Sequence, residues 1–517
     1  MMIYDKDRHG IRILIIASHA SLKFGGEAAL PFMFFRLLRQ RKIDAWLCVH
    51  ERTRSELRER FEDCDFERIH FIEDTFLMQK CNQISKYLPK RLAHFTLGYI
   101  IRLLTQVVQK KIAKDIIQTE KIDIIHQPFP VSPKEPSILF EMGVPVIIGP
   151  MNGGMQYPPA FRHKWSHLFT WLIPINQFLS DLANKVLPGK LKAEALVYAN
   201  SRTKMALPQN VTGQLFELVE NGIDFSVWDR ESISHRERSR NRENEPVKFI
   251  YVGRLVDWKG VDILLEAFAK IIGSVSAELE IIGEGSQREQ LEQKAKELNL
   301  TSDNPSTTSK VKFSGWLSQK DCAHHLSDSD VFVLSSLYEC GGAVVLEAMA
   351  MGLPSIATKW GGPVDYINEE CGILVEPSSR EEFVRGFADA MLDLAQNPNK
   401  RKKMGEAGYQ RAIEHFDWNV KIDKILEIYY NIAFPTSNPS ISSLSNAENN
   451  KRIETLNAWG RVLSKQKTAK FFERQNIMSN PQLNLLKSQY SWDFIHGVKK
   501  RHLIHYLMGC CTLEYDE

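Results

Sequence analysis

Cysteine in metal-binding spacing is missing from these 517 residues. The eight cysteines form no zinc-like pattern, and Cys510–Cys511 is the only adjacent pair. That argues against a zinc module or a disulfide framework and fits a reducing compartment, so a cytoplasmic location is expected. Charge of one sign is also scarce. Against 66 Lys and Arg stand 63 Asp and Glu, a net charge of +3, with a pI near 8.3. This is not the footprint of a nucleic-acid binder. No apolar run reaches the length of a membrane span. The charged start (Asp5, Lys6, Asp7, Arg8) leads straight into a strand, so no signal peptide is expected. No short-period repeat is visible, which argues against a solenoid. What is present is ordinary for a soluble globular chain: 43% hydrophobic and 25% charged residues. The length exceeds one core, so two or three domains are expected.

The stretch Ser335–Pro363 organises the rest. It follows an apolar run, Val331–Leu334, that reads as a buried parallel strand. Gly341 and Gly342 lead into an apolar helical segment that Gly352 and Pro354 end. A strand, a glycine turn and a helix N-terminus make an anion site, because the first backbone N–H groups lack intrahelical partners and the helix dipole adds positive charge. Two carboxylates accompany it. Glu339 precedes the helix, and Glu347 lies inside it, roughly 7 Å further along. Glu347 is flanked by Val344, Val345, Leu346, Ala348, Met349 and Ala350. It is either a solvent-facing glutamate on an amphipathic helix or a carboxylate held by a ligand.

Two similar α/β halves surround this stretch. In the first, Ile11–Ala17 reads as a parallel strand, and Gly25-Gly26 closes its loop before a helix, as a close backbone approach for a ligand or as a plain turn. Ala45–His50 and Arg68–Ile72 read as strands, with Arg52–Arg60 a solvated helix. Leu88–Glu120 is a long basic helical region. Leu92, Phe95, Tyr99, Ile100, Leu103, Leu104, Val107 and Val108 give it an apolar face. It is expected to pack on the sheet with its charges in water, resting on anionic lipid being the alternative. Ile122–Gln127 is a strand carrying His126 at its end, where ligands of open parallel sheets gather; a packed strand-end histidine is the other reading. Val144–Ile148 is followed by Gly149-Pro150-Met151-Asn152-Gly153-Gly154. Residues 155–190 mix aromatic and basic side chains, suited to an acceptor, a membrane surface or plain core helices. Ala195–Ala199 is expected to be the last strand of this half.

In the second half, Val219-Glu220-Asn221-Gly222-Ile223-Asp224 is a turn-rich connection, and residues 229–246 form a charged loop. Val247–Val252 is a strand that ends on Gly253-Arg254, with Lys259 just beyond. Two cations there are placed to clamp a diphosphate, or simply stand in water. Ala277–Ile282 runs into Gly283-Glu284-Gly285, a weak phosphate signal. Leu300–Lys310 is a polar insertion. Asp328-Ser329-Asp330 has the form of a D-x-D metal motif, but its position beside the Val331–Leu334 strand favours capping. Pro435–Asn450 is rich in Ser, Asn and Pro and reads as a linker. Residues 451–517 read as amphipathic helices.

The order and spacing of these pieces resemble the retaining glycosyltransferases of family four, the glycosyltransferase group 1 type. The matching pieces are Gly25-Gly26, the strand end Ile122-Asp123-Ile124-Ile125-His126-Gln127-Pro128, the turn Glu220-Asn221-Gly222-Ile223-Asp224, Tyr251–Gly260, Gly283-Glu284-Gly285 and the Glu339–Glu347 helix. The resemblance covers about residues 11–432. It implies a GT-B fold: α/β, two Rossmann-like doubly wound domains facing across a cleft. The expected divisions are 1–212 for the acceptor domain with a return helix at 418–434, 213–417 for the donor domain, and 435–517 for a linker and helical extension.

The resemblance also implies roles. Arg254 and Lys259 would hold the donor diphosphate, with Gly25, Gly26, Gly253, Gly283, Gly342 and Ala343 in the backbone around the phosphates and sugar. Glu347 would bind the nucleotide ribose, Glu339 would face the donor sugar, and His126 would lie near sugar and acceptor. The chain departs from the family's pattern twice. The family often has Phe or Tyr where this chain has Gly341, and often Pro where it has Glu220. The implied activity is metal-independent, retaining transfer of a hexose from a nucleotide-sugar donor to a glycan or lipid-linked acceptor, with no cofactor. The setting would be polysaccharide or glycolipid biosynthesis at the inner face of a membrane, with peripheral membrane contact. An epimerase of the same fold and a non-catalytic sugar-binding protein are the alternatives.

Overall fold

Long β-branched runs become the central strands because a parallel strand is apolar on both faces. The computed structural model describes residues 10–88, 96–164, 180–230, 245–301 and 310–435. Seven parallel strands form the first sheet: β1 (Arg12–Ile16), β2 (Asp44–His50), β3 (Ile69–Ile72), β4 (Ile124–Gln127), β5 (Val146–Met151), β6 (Ala195–Tyr198) and β7 (Gln214–Glu217). Their order is β3-β2-β1-β4-β5-β6-β7. Six more form the second sheet: β8 (Val247–Val252), β9 (Ala277–Ile282), β10 (Val311–Gly315), β11 (Val331–Leu334), β12 (Ser355–Thr358) and β13 (Gly372–Val375). Their order is β10-β9-β8-β11-β12-β13. Both are doubly wound. Each reverses direction beside its opening strand, β1/β4 and β8/β11, where such sheets leave a crevice at the carboxyl ends.

The first sheet extends one strand further than expected. β7 pairs in register with β6, Leu196 opposite Leu215 and Val197 opposite Phe216. The crossing into the second domain therefore starts after Glu217, and Ala195–Ala199 is not the last strand. The chain crosses back beside it. Ile223 N donates to Phe416 O at 2.7 Å, and Trp418 N donates to Ile223 O at 3.1 Å. The Trp418–Ala433 helix then packs Ile422, Ile425 and Tyr429 into the first domain's core with Ile13, Phe34 and Phe35.

The Leu97–Glu120 helix corrects a second expectation. It packs on the sheet, but the side it buries is Thr105, Gln106, Gln109, Ala113 and Ile116. Ile100 and Val107 of the presumed apolar face are exposed. The buried amides are satisfied by backbone: Gln109 Nε2 donates to Ala17 O at 2.7 Å, and Gln106 Oε1 accepts from Ile138 N at 3.2 Å. Leu92, Phe95, residues 165–179, most of the charged loop and the polar insertion, the linker and the C-terminal helices lie outside the described residues.

Candidate active site

The site begins where β8 and β11 end side by side. Beyond β8 the backbone turns through a short 3-10 helix, Asp257–Lys259. The chain leaving β11 clamps it: Ser335 Oγ donates to Gly260 O at 2.9 Å, and Leu337 N donates to Trp258 O at 2.8 Å. These two bonds bring Lys259 to Glu339, and the two form an ion pair with both side chains largely buried. Ser336 Oγ adds a hydrogen bond to Glu339 Oε2 at 3.2 Å. Arg254 is exposed, its guanidinium 5.8 Å from the centre of the Trp258 ring. Gly253 and Gly283 meet where β8 and β9 end. A Cβ on Gly283, at φ +140°, would lie 1.9 Å from Gly253 O, so this approach admits only glycine.

Gly342, at φ 80°, precedes the Ala343–Ala350 helix. Glu347 sits four residues after Ala343, on the same face and ~6 Å along the axis. It is half-buried and has no hydrogen-bond or ion-pair partner among the described residues. Burial alone pushes its carboxyl up to about 7. An unpartnered carboxylate one turn inside a helix N-terminus suits a ligand that offers hydroxyl donors beyond its phosphates.

The first domain faces this wall. Gly25 and Gly26 are exposed and open the Gly26–Gln40 helix, followed by Glu27. Desolvation and then Glu135 raise the Glu27 carboxyl. The Cys340 thiol is pushed up to about 12, first by burial and then by Glu220; Arg202 opposes the shift, and Glu27 and Glu339 add to it. Charges from both domains thus reach one thiol on the turn before the Ala343–Ala350 helix. Direct bonds also join the domains. Asn152 Nδ2 donates to Cys340 O at 2.9 Å. Arg202 pairs with Asp365 at 3.0 Å, and Trp360 Nε1 donates to Gln156 O at 2.8 Å.

His126 is not in this cleft. It is fully buried, its Nε2 2.5 Å from Gly149 O and its Nδ1 accepting from the Tyr429 hydroxyl at 2.6 Å. Phe34 packs edge-on at 4.8 Å. Burial drives its pKa down to about 4, so it is a neutral strut between β4, β5 and the return helix. A second strand-end histidine is His19, in the loop after β1. It lies between Phe24 at 5.9 Å and Phe129 at 5.8 Å, and its Nδ1 is buried without a hydrogen-bond partner among the described residues. Burial, Arg52 and His50 lower its pKa to about 4. The rule that ligands gather at strand ends, applied to β1 as it was to β4, points to His19. Asn152, in the glycine-rich exit from β5, and Arg202 had no comparable signal. Asp328 Oδ2 accepts from Lys248 Nζ at 2.6 Å and Asp330 Oδ2 from Lys248 N at 2.9 Å, so both carboxylates hold the start of β8.

Residues 233–411 match the sequence family described as glycosyl transferases group 1. The chain is similar to the lipopolysaccharide core biosynthesis glycosyltransferase LpsE of Rhizobium meliloti (strain 1021), 31% identical over 178 residues, 34% of this chain and 48% of the relative. It is also similar to the N-acetyl-alpha-D-glucosaminyl L-malate synthase of Bacillus anthracis, 28% identical over 226 residues, 44% of this chain and 56% of the relative. The chain thus spans about half the length of these curated relatives. Among solved structures, a glycosyltransferase from Rickettsia africae ESF-5 superposes with a TM-score of 0.56 at 18% identity, covering 83% of this chain and 100% of that one. Anabaena HepE in complex with UDP gives 0.55 at 16% identity, covering 81% and 99%. The fold is GT-B, two Rossmann-like domains on either side of a cleft.

Proposed function

We propose, from the membership of residues 233–411 in the glycosyl transferases group 1, that this chain is a metal-independent, retaining glycosyltransferase. It moves a hexose from a nucleotide-sugar donor to a glycan or lipid-linked acceptor, in polysaccharide or glycolipid biosynthesis. One observation carries the reading. Glu347 is an unpartnered carboxylate on the same helix face as the Gly342–Ala343 turn, with the Lys259–Glu339 pair on the other side of that turn. Ribose, diphosphate and sugar fit this order: ribose hydroxyls donate to Glu347, the diphosphate meets the helix N-terminus, Arg254 and Lys259, and the hexose lies by Glu339.

Transfer breaks the bond between the anomeric carbon and the diphosphate oxygen and forms one to the acceptor oxygen on the same face. The acceptor hydroxyl's proton passes to the leaving phosphate. Positive charge builds on the sugar while negative charge builds on the diphosphate, and fixed cations aimed at the latter are worth roughly 3–4 kcal/mol each. Glu339, already paired with Lys259 and bonded to Ser336, serves as an orienting acceptor and not as a covalent nucleophile.

Peripheral contact with a membrane belongs to the same reading. No described helix is long and apolar enough to cross one. The Phe76–Ser85 helix packs beside Leu97–Glu120; Phe76, Leu77 and Ile84 of the first, Ile100 and Val107 of the second, and Tyr87 between them in sequence are all exposed. Lys80 lies over the Phe76 ring, 5.4 Å from its centre. Apolar side chains edged by lysine suit an anionic lipid surface.

A thermal-shift screen against UDP, GDP, ADP and their hexose derivatives tests the donor reading, since a ligand that binds the folded chain raises its melting temperature. One nucleotide series should raise it by several degrees. No rise with any of the three overturns the proposal.

A further inference from the structure

The two positions at which the chain departs from the family's pattern touch each other. A Cβ on Gly341 would lie 2.5 Å from Glu220 Oε1 and 2.3 Å from Asn221 Nδ2, closer than real Cβ atoms come. A side chain at 341 and a carboxyl at 220 compete for one volume. Glu220 is only 6% exposed, at the crossing between the domains. Its Oε1 accepts from Asn152 Nδ2 at 2.7 Å and from Asn221 Nδ2 at 2.8 Å. Its Oε2 is buried without a hydrogen-bond partner among the described residues. The buried Lys421 ammonium donates to Val219 O beside it.

Those partners reach further. Asn152, from the first domain, also donates to Cys340 O at 2.9 Å. Asn221 also donates to the Tyr366 hydroxyl at 2.9 Å, in the second domain. One carboxylate oxygen thus holds Asn152 on the turn between Glu339 and Gly342 and holds Asn221, bonded to Tyr366, where it packs against Gly341. A buried carboxyl with an idle oxygen is a poor way to fill space. It is a good way to orient two amides, one of them bonded to the backbone of the turn.

We propose that Glu220 is a positioning residue for the donor sugar: through Asn152 it fixes the Cys340 backbone, and with Asn221 it occupies the volume that a side chain on residue 341 would take. The proposal rests on the glycosyltransferase reading and adds a determinant for the sugar half of the donor. Arg254, Lys259 and Glu347 grip the nucleotide half and do not contact Glu220.

Isothermal titration with UDP against UDP-glucose, and GDP against GDP-mannose, separates the two halves in the full chain. Glu220→Ala should weaken binding of the nucleotide sugar at least tenfold and of the free nucleoside diphosphate less than threefold. Glu220→Gln, which keeps the accepting oxygen, should restore most of the loss. Gly341→Ala should be as damaging alone but add less than its own cost to Glu220→Ala, because only Asn221 then stands against the new Cβ. Equal losses for sugar and nucleotide, no loss at all, or additive effects would overturn the proposal. Hydrogen exchange of the ligand-free chain gives a second measure: amides at Cys340–Ala343 should exchange faster in Glu220→Ala while those of β8 do not, and unchanged exchange there sinks it. If the unaltered chain binds none of UDP, GDP and ADP, the donor reading fails, and the exchange comparison still decides whether Glu220 holds the turn.

Discussion

Lys259 and Glu339, 80 positions apart, form a largely buried ion pair at the mouth of the donor turn. The cation proposed to meet a phosphate and the carboxylate proposed to face a sugar are thus held together without a ligand. Each keeps the other from being an isolated buried charge.

Removing one partner should therefore do two things. Lys259→Ala or Glu339→Ala alone should each destabilise the fold by about 1–3 kcal/mol, and the double variant by less than their sum, measured by urea unfolding. Transfer should fall about 100-fold or more in Lys259→Ala, in line with losing one donor to a developing anion. Unchanged stability in both single variants would contradict the pairing.

Glu347 gives a pH dependence with a definite sign. Its carboxyl ionises near 7 in the folded chain against an ordinary value of 4.5. Between those values the folded state keeps a proton that the unfolded state has released. The stability linked to this group is therefore complete below pH ~4.5 and lost as pH rises through ~7. Glu347→Gln should be more stable than the unaltered chain at pH 8 and no different at pH 4. Ribose hydroxyls favour the ionised form, so nucleotide binding should tighten between pH 6 and 8, by up to about tenfold per unit. The Gln variant should show a flat profile over that range.

The two histidines should separate stability from activity. His126→Ala removes two buried hydrogen bonds and leaves a cavity, so it should lower stability by about 2–4 kcal/mol while the folded fraction keeps its activity. His19→Ala should lower transfer with little change in melting temperature. Both variants behaving alike would contradict this assignment.

Much of this was legible in the sequence because central parallel strands are continuous apolar runs. β1, β8 and β11 stand out in that way, and so do the loops at their ends that carry Gly25, Arg254 and Glu339. β7 did not stand out. It is an edge strand with Gln214 and Glu217 at its ends and Leu215 exposed, so it lacks an apolar run. His126 was placed correctly at a strand end, but what covers it is Tyr429, 303 positions away, which no local pattern reveals. The Leu97–Glu120 helix misled because apolar periodicity assumes that apolar residues face inward. Here two glutamines that bond loop backbone share the buried side with Ala113 and Ile116, and Ile100 and Val107 face out.

That outward face yields its own outcome. Phe76→Asp with Leu77→Asp should abolish co-sedimentation with vesicles containing anionic lipid and leave nucleotide binding unchanged. Salt should weaken the binding of the unaltered chain, since lysine charge contributes. No sedimentation of the unaltered chain at low salt would count against membrane contact.

The donor site itself is tested most directly by isothermal titration of UDP, GDP and ADP into the unaltered chain, Lys259→Ala and Glu347→Ala. The account predicts that one of the three diphosphates binds the unaltered chain and that each substitution weakens it at least tenfold, about 1.4 kcal/mol or more. Binding that neither substitution alters would place the nucleotide elsewhere and contradict the account.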